Sequence, residues 1–193
     1  MPQKSTRSEI IDVADRLFYR QGFDHTSFAD IASKVKISRG NFYHHFKTKD
    51  AILDAVIDAR LEAAREMIRA WEAKTSDPAE RIRCYIHILF TNRTEIRRYG
   101  CPVGTLCNEL AKLRHDARSD ANGLFELFRV WLKSEFERLG RRSDADDLAL
   151  QVLAWSQGAA TIYNAYGDDA FLDGDVARMD KWLDDIAQQN GDG

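Results

Sequence analysis

Between Ser27 and Lys49 the apolar residues recur at intervals that leave few arrangements open. Phe28, Ile31, Ala32 and Val35 stand at i, i+3, i+4 and i+7, which places them on one face of a two-turn helix. Ser27, with Asp30 three residues later, has the pattern of a capping box and fixes where that helix starts. Ser38 has the pattern of a second cap, and Phe42 and Phe46 then share the inward face of another short helix. Only Lys36-Ile37 remains for the turn, and Ala32 is small enough to let the two helices cross closely. The stretch reads as a helix-turn-helix, with Arg39, Asn41, Tyr43, His44 and His45 facing outward.

Those outward residues have the chemistry of a DNA reader. Arg pairs bidentately with guanine and Asn with adenine, while Tyr, His and Lys suit phosphate oxygens. Arg39, Asn41 and His44 are therefore expected to read bases, and Thr26, Tyr43, His45, Lys47 and Lys49 to hold phosphates. Lys49 also falls at the start of a further helix, whose open backbone N–H groups favour a phosphate. The net charge of −3 argues against nucleic acid when taken alone. Its distribution argues the other way: residues 1–50 carry nine Lys/Arg against six Asp/Glu, so the remainder is −6. A basic end on an acidic body fits a chain that touches DNA only through its N-terminal part.

The run Ile31-Ala32…Ile37-Ser38-x-Gly40-x-Phe42-Tyr43-x-His45-Phe46-x-x-Lys49 resembles the signature of the TetR family of bacterial transcriptional regulators. The resemblance implies a homodimer that binds double-stranded operator DNA, with repression relieved by a small-molecule effector. One position departs: the family usually has Gly in the turn where this chain has Lys36. A left-handed backbone is expected there, at a cost of roughly 1 kcal/mol for a non-Gly residue.

The rest of the chain reads as helix throughout. Thr6 with Glu9 is the expected start of a first helix ending at Gly22, and Thr48 caps a fourth. The fourth, about 25 residues long, carries an apolar stripe from Ile52 to Trp71 and spans roughly 37 Å at the usual rise, enough to link two domains. Asp77-Pro78 starts the fifth, which breaks at Arg97-Arg98-Tyr99-Gly100, and Cys101-Pro102 begins a short sixth. The seventh ends at Gly140, the eighth runs from Ser143 to Tyr166-Gly167, and the ninth begins about Asp175. Gln189 to Gly193 reads as a tail. The expectation is an all-α protein of about nine helices. Residues 1–50 form the DNA-binding domain, with the linking helix from about 48, and residues 51–193 an effector-binding and dimerisation domain.

Aromatic residues at helical spacing (Tyr85, Phe90, Phe125, Phe128, Trp131, Trp155 and Tyr163) are the candidate lining of an effector pocket. The eighth and ninth helices are apolar on more than one side, which suits a four-helix dimer interface. Val152, Ala159, Tyr163, Met179, Trp182, Leu183 and Ile186 are its candidates. The segment Gly100-Cys101-Pro102-Val103-Gly104 is similar to one in a group of TetR-like regulators, some of which sense electrophiles through a cysteine. Cys101 stands at a helix start, whose positive end favours a thiolate, and Cys107 lies nearby, so both are candidate thiol sensors.

The cysteines and histidines lack metal-ligand spacing, and no nucleophile-base order or Gly-rich phosphate loop occurs, so no metal, cofactor or catalysis is expected. No apolar run is long enough for a membrane span, and the first residues lack a signal-peptide core. With an odd number of cysteines, the expectation is a cytoplasmic protein. Two rival classes remain: a helical ligand-binding module without DNA specificity, and a helical enzyme built on the aromatic cavity.

Overall fold

The structure, a computed structural model, describes residues 5–188, with Arg39 described by its backbone alone. The expected tail, Gln189 to Gly193, lies outside the described residues. In chain order the helical segments are α1 (Thr6–Gln21), α2 (Phe28–Val35), α3 (Arg39–His45), α4 (Lys49–Lys74), α5 (Pro78–Ile86), α6 (Ile88–Thr91), α7 (Arg93–Tyr99), α8 (Pro102–Leu113), α9 (Arg118–Arg138), α10 (Ala145–Tyr166) and α11 (Asp169–Gln188). Regular structure among the described residues is entirely helical, as expected.

The expected fifth helix is divided into α5, α6 and α7 at His87 and Asn92, where ψ rises to near zero and, at Asn92, the backbone leaves the helical region. At Asn92 the cause is local: its side-chain amide donates to the Ile88 carbonyl at 3.1 Å, competing with the backbone ladder. The last helix starts earlier than Asp175, because the Asp168 side chain accepts the Ala170 N–H at 2.9 Å and opens it there.

The described residues pack as two compact units, those within Met1–Ala64 and Pro102–Leu124, and those within Arg65–Cys101 and Phe125–Gly193. These units differ from the division at residue 50 because α8 and the start of α9 pack with the N-terminal helices. In the first unit Ile10, Ala14 and Phe18 of α1 are buried with Ile31, Val35, Phe42, Phe46, Ile52 and Val56. Each such side chain contributes roughly 1.5–3 kcal/mol by leaving water. In the second, Ile82, Tyr85 and Ile86 are buried along with Leu132, Phe136, Leu148, Val152, Val176 and Leu183. Arg81 is also buried there, its guanidinium donating to the carbonyls of Glu72 (3.2 Å) and Thr75 (2.8 Å) with Glu135 at 3.4 Å. It thereby satisfies carbonyls left open at the end of α4.

Candidate nucleic-acid interface and effector region

The helix-turn-helix is fixed by caps at both of its starts. Ser27 and Asp30 close the capping box: the Ser27 hydroxyl accepts the Asp30 N–H at 3.2 Å, and the Asp30 carboxylate accepts the Ser27 N–H at 2.8 Å. The Ser27 hydroxyl, which also lies 2.6 Å from that carboxylate and donates to it, and then the Ser27 N–H hold the Asp30 carboxyl below the usual carboxylate range. Ser38 accepts the Asn41 N–H at 3.3 Å and starts α3. Between them Lys36 adopts φ 59° and ψ 37°, the left-handed conformation expected of that turn, and donates its N–H to the Ala32 carbonyl at 3.0 Å.

With Phe42 and Phe46 buried, α3 has one way to face. Asn41 and His44 are exposed, His45 is half-buried, and Tyr43 is 47% exposed. Lys47 is exposed just beyond the helix. Arg39 stands at the first position of α3, and its side chain lies outside the described residues. Arg7, at the start of α1, lies over the Phe46 ring at 5.0 Å and pins the far end of α3. A shallow groove of about 200 Å³, lined by Phe28, Ala29, Ala32, Phe42 and Tyr43, runs between α2 and α3.

Two of the expected phosphate holders are turned inward. Thr26 is 1% exposed; its hydroxyl donates to the Gly22 carbonyl at 2.7 Å and accepts from the Gln21 amide at 3.2 Å. It closes the α1–α2 turn, so its hydroxyl is unavailable to a phosphate in this conformation. Lys49 is half-buried, and its ammonium donates to the carbonyls of Phe23 (3.0 Å) and Asp24 (3.4 Å) while lying 4.2 Å from the Phe23 ring centroid. Its charge serves the same turn.

The expected effector residues divide. Tyr85 packs on Phe128 at 5.2 Å, and Trp131 on Trp71 at 5.3 Å, with Tyr85 and Trp71 edge-on at 6.4 Å. Glu72 accepts the Trp131 indole N–H at 3.1 Å, and the Tyr85 hydroxyl shares a 3.2 Å bond with Ser156. Burial holds the Tyr85 phenol far above its ordinary range, with Cys101 adding to the effect. Phe125 is half-buried and Phe90 packs on His87. Trp155 and Tyr163 are drawn to α11, donating to Asp175 (2.8 Å) and Asp169 (2.6 Å). Trp71 belongs to the cluster although its place on the long α4 gave no reason to include it.

Of the expected dimer residues, Val152, Ala159, Tyr163, Met179, Leu183 and Ile186 are buried within their own unit, and Trp182 packs edge-on against Phe136. The first six belong to the protomer's own core, and Trp182 is half-buried. Among the thiols, Cys107 is buried, its sulfur directed at the Ala121 carbonyl at 3.5 Å, and Cys101 is half-buried.

A family model described as bacterial regulatory proteins of the tetR family matches residues 10–56, the segment that carries α2, α3 and both caps. The chain carries a helix-turn-helix of the tetR-family type. It is a DNA-binding transcriptional regulator, and its relatives extend the likeness beyond the helix-turn-helix. It is 28% identical over 192 residues to the TtgR regulator of Pseudomonas putida, covering 94% of this chain and 89% of that one. It is also 27% identical to an uncharacterized HTH-type regulator in the lacX 3′ region of Lactococcus lactis, where it spans 63% of that relative. The crystal structure of a TetR regulator from Legionella pneumophila superposes with a TM-score of 0.80 at 25% identity, over 94% of this chain and 98% of that one. Among the described residues of this chain, no helix is long and apolar enough to cross a membrane.

Proposed function

We propose that this regulator is a cytoplasmic repressor that binds a specific operator as a homodimer and is released by a small-molecule effector. The observation that carries it is the exposed polar face of α3, held by Phe42 and Phe46 beneath and by Ser38 at its start. Asn41 and His44, with Arg39 beside them in sequence, read base edges. Tyr43, His45 and Lys47 hold the phosphates on either side. A helix of this length needs a second copy, one DNA turn away, to specify a site.

An exposed face of α10 supports the second copy. Ala154, Gly158, Thr161 and Ala165 follow one another along that face, flanked by Leu150 (43% exposed), Ile162 (41%) and Tyr166 (78%). A Cβ built on Gly158 would meet nothing within 4 Å in the protomer. Small residues with apolar neighbours let two such helices approach closely.

The aromatic cluster of Trp71, Tyr85, Phe128 and Trp131, with Glu72 and Ser156 as its polar partners, supports an effector site among the C-terminal helices. The test is to recover any small molecule that co-purifies with the full-length protein and titrate it against the DNA complex. Release of the DNA is expected, and unchanged binding at saturation would contradict the effector reading. A thiol route is the second reading, favoured by the half-buried Cys101 beside the start of α8. N-Ethylmaleimide should then release the wild type but leave Cys101→Ser bound.

A further inference from the structure

The turn between α1 and α2, residues 22–26, is gripped through its backbone by residues far away in sequence. Glu109 of α8 accepts the N–H of Phe23 at 2.9 Å with one carboxylate oxygen and that of Asp24 at 3.0 Å with the other. The carbonyls of the same two residues accept from the Lys49 ammonium at the start of α4. One carboxylate and one ammonium thus satisfy both N–H groups and both carbonyls of a two-residue segment. The Phe23 ring between them is buried, with Lys49 near its face and His115 edge-on at 5.1 Å. Gly22 fits the same design: its φ is 93°, and a Cβ there would lie 2.9 Å from the Glu109 carboxylate. At the other end of α8, Arg60 of α4 donates to the Pro102 carbonyl at 2.7 Å and to Asp15 of α1 at 2.6 Å.

We infer that Glu109 is a positioning residue for operator reading. It touches no expected DNA contact. It fixes the turn that sets where α2 begins, and α2 carries α3 through the Lys36 turn. The Thr26 hydroxyl, bonded to Gly22, and the Ser27 cap follow the gripped segment directly, so a shift at Phe23 and Asp24 is passed to the start of α2. A side-chain carboxylate accepting two backbone N–H groups sets both distance and direction. Glutamine cannot replace it: its amide oxygen accepts one N–H, and its amide nitrogen is turned against the other.

This proposal rests on sequence-specific binding through α3, and the experiment separates the two. A duplex is first selected from a randomised pool by the full-length wild type. That duplex and a scrambled one of equal composition are then titrated with wild type, Glu109→Gln and Lys49→Met. All are measured well below their melting temperatures, and amide exchange is followed at Phe23 and Asp24. The inference predicts faster exchange at both amides in Glu109→Gln and at least tenfold weaker binding to the selected duplex. Binding to the scrambled duplex should stay within twofold, an asymmetry that a loss of stability alone would not produce. Lys49→Met keeps an apolar stem over Phe23 but not the bonds to the carbonyls, and should show the same selective loss even if Glu109→Gln fails to fold. Faster exchange with unchanged preference for the selected duplex would overturn the positioning role. So would unchanged exchange, since Glu109 would then not hold the turn. A wild type that enriches no sequence would overturn the operator reading, and this inference with it.

Discussion

The Tyr43 ring of α3 lies nearly parallel to the Phe28 ring of α2, with centroids 5.5 Å apart and 21° between the planes. The stack restrains a tyrosine that is 47% exposed. Tyr43→Phe keeps the stack and removes only the hydroxyl. If that group donates to a phosphate, affinity should fall roughly tenfold, about 1.5 kcal/mol, on selected and scrambled duplexes alike. Tyr43→Ala should lose about 0.5–1.5 kcal/mol more as the stack goes. Fluorescence anisotropy with labelled duplexes reads both, and no change in Tyr43→Phe would remove the tyrosine from the contact set.

Lys36 occupies the left-handed region without being glycine. Lys36→Gly should relieve the strain and stabilise the protein by up to about 1 kcal/mol, a rise of roughly 2–4 °C in melting temperature for a chain of this size. Calorimetry checks it. A lower melting temperature would mean that the Lys36 side chain contributes more than its backbone costs.

Gly158→Gln isolates the dimer. The substitution removes a glycine from the interior of α10 at an exposed position where an added Cβ meets nothing within 4 Å in the protomer, so helicity and protomer packing should be kept or slightly improved. On a close helix-helix contact the longer side chain should hold the copies apart. Light scattering at micromolar concentration should give a dimer for the wild type and a monomer for the variant. A dimeric variant would move the interface off this face.

The local parts of this design were legible in the sequence because each is decided within a few residues. The caps at Ser27, Ser38 and Asp77 lie where spacing and residue type indicated, and the left-handed turn at Lys36 lies where the family resemblance implied it. The first helix is one exception, being capped by Ser5, whose hydroxyl accepts the Ser8 N–H, one residue before the expected Thr6; the helix expected from Ser143 is another, starting at Ala145 after Asp144 with no side-chain cap bond. What escaped was decided by distant partners. Thr26 and Lys49 had the chemistry to hold phosphate, but the α1–α2 turn uses both. Glu109 gave no local sign of its role, since its partners lie about 85 residues earlier. On α10, periodicity marked two apolar faces without saying which one the protomer buries, and the larger side chains went to its own core.

Asp54 gives a pH signature. It lines a groove of about 310 Å³ with Asp58, Asp120, Ile57, Leu61, Ser119 and Gly123. Partial burial there, with Asp120, Asp50 and Asp58 around it, holds its carboxyl above the usual carboxylate range, and His115 pulls weakly the other way. A raised carboxyl pKa means that the folded state binds this proton more readily than the unfolded state. Ionised Asp54 therefore disfavours the fold at neutral pH, and the penalty is relieved as pH falls through the folded value. Asp54→Asn should be the more stable protein in urea at pH 7. That advantage should shrink steadily as pH falls, and be gone below the ordinary aspartate value of about 3.9. A variant less stable than wild type at pH 7 would contradict this.

The central claim, that α3 reads a specific operator, is tested most directly by titrating the full-length wild type with selected and scrambled duplexes across a salt series. At near-physiological salt the selected duplex should bind at least about 10³-fold more tightly. Its log affinity should fall linearly against log salt, by about 0.9 per phosphate neutralised. Affinities within tenfold of each other, or indifferent to salt, would contradict the account.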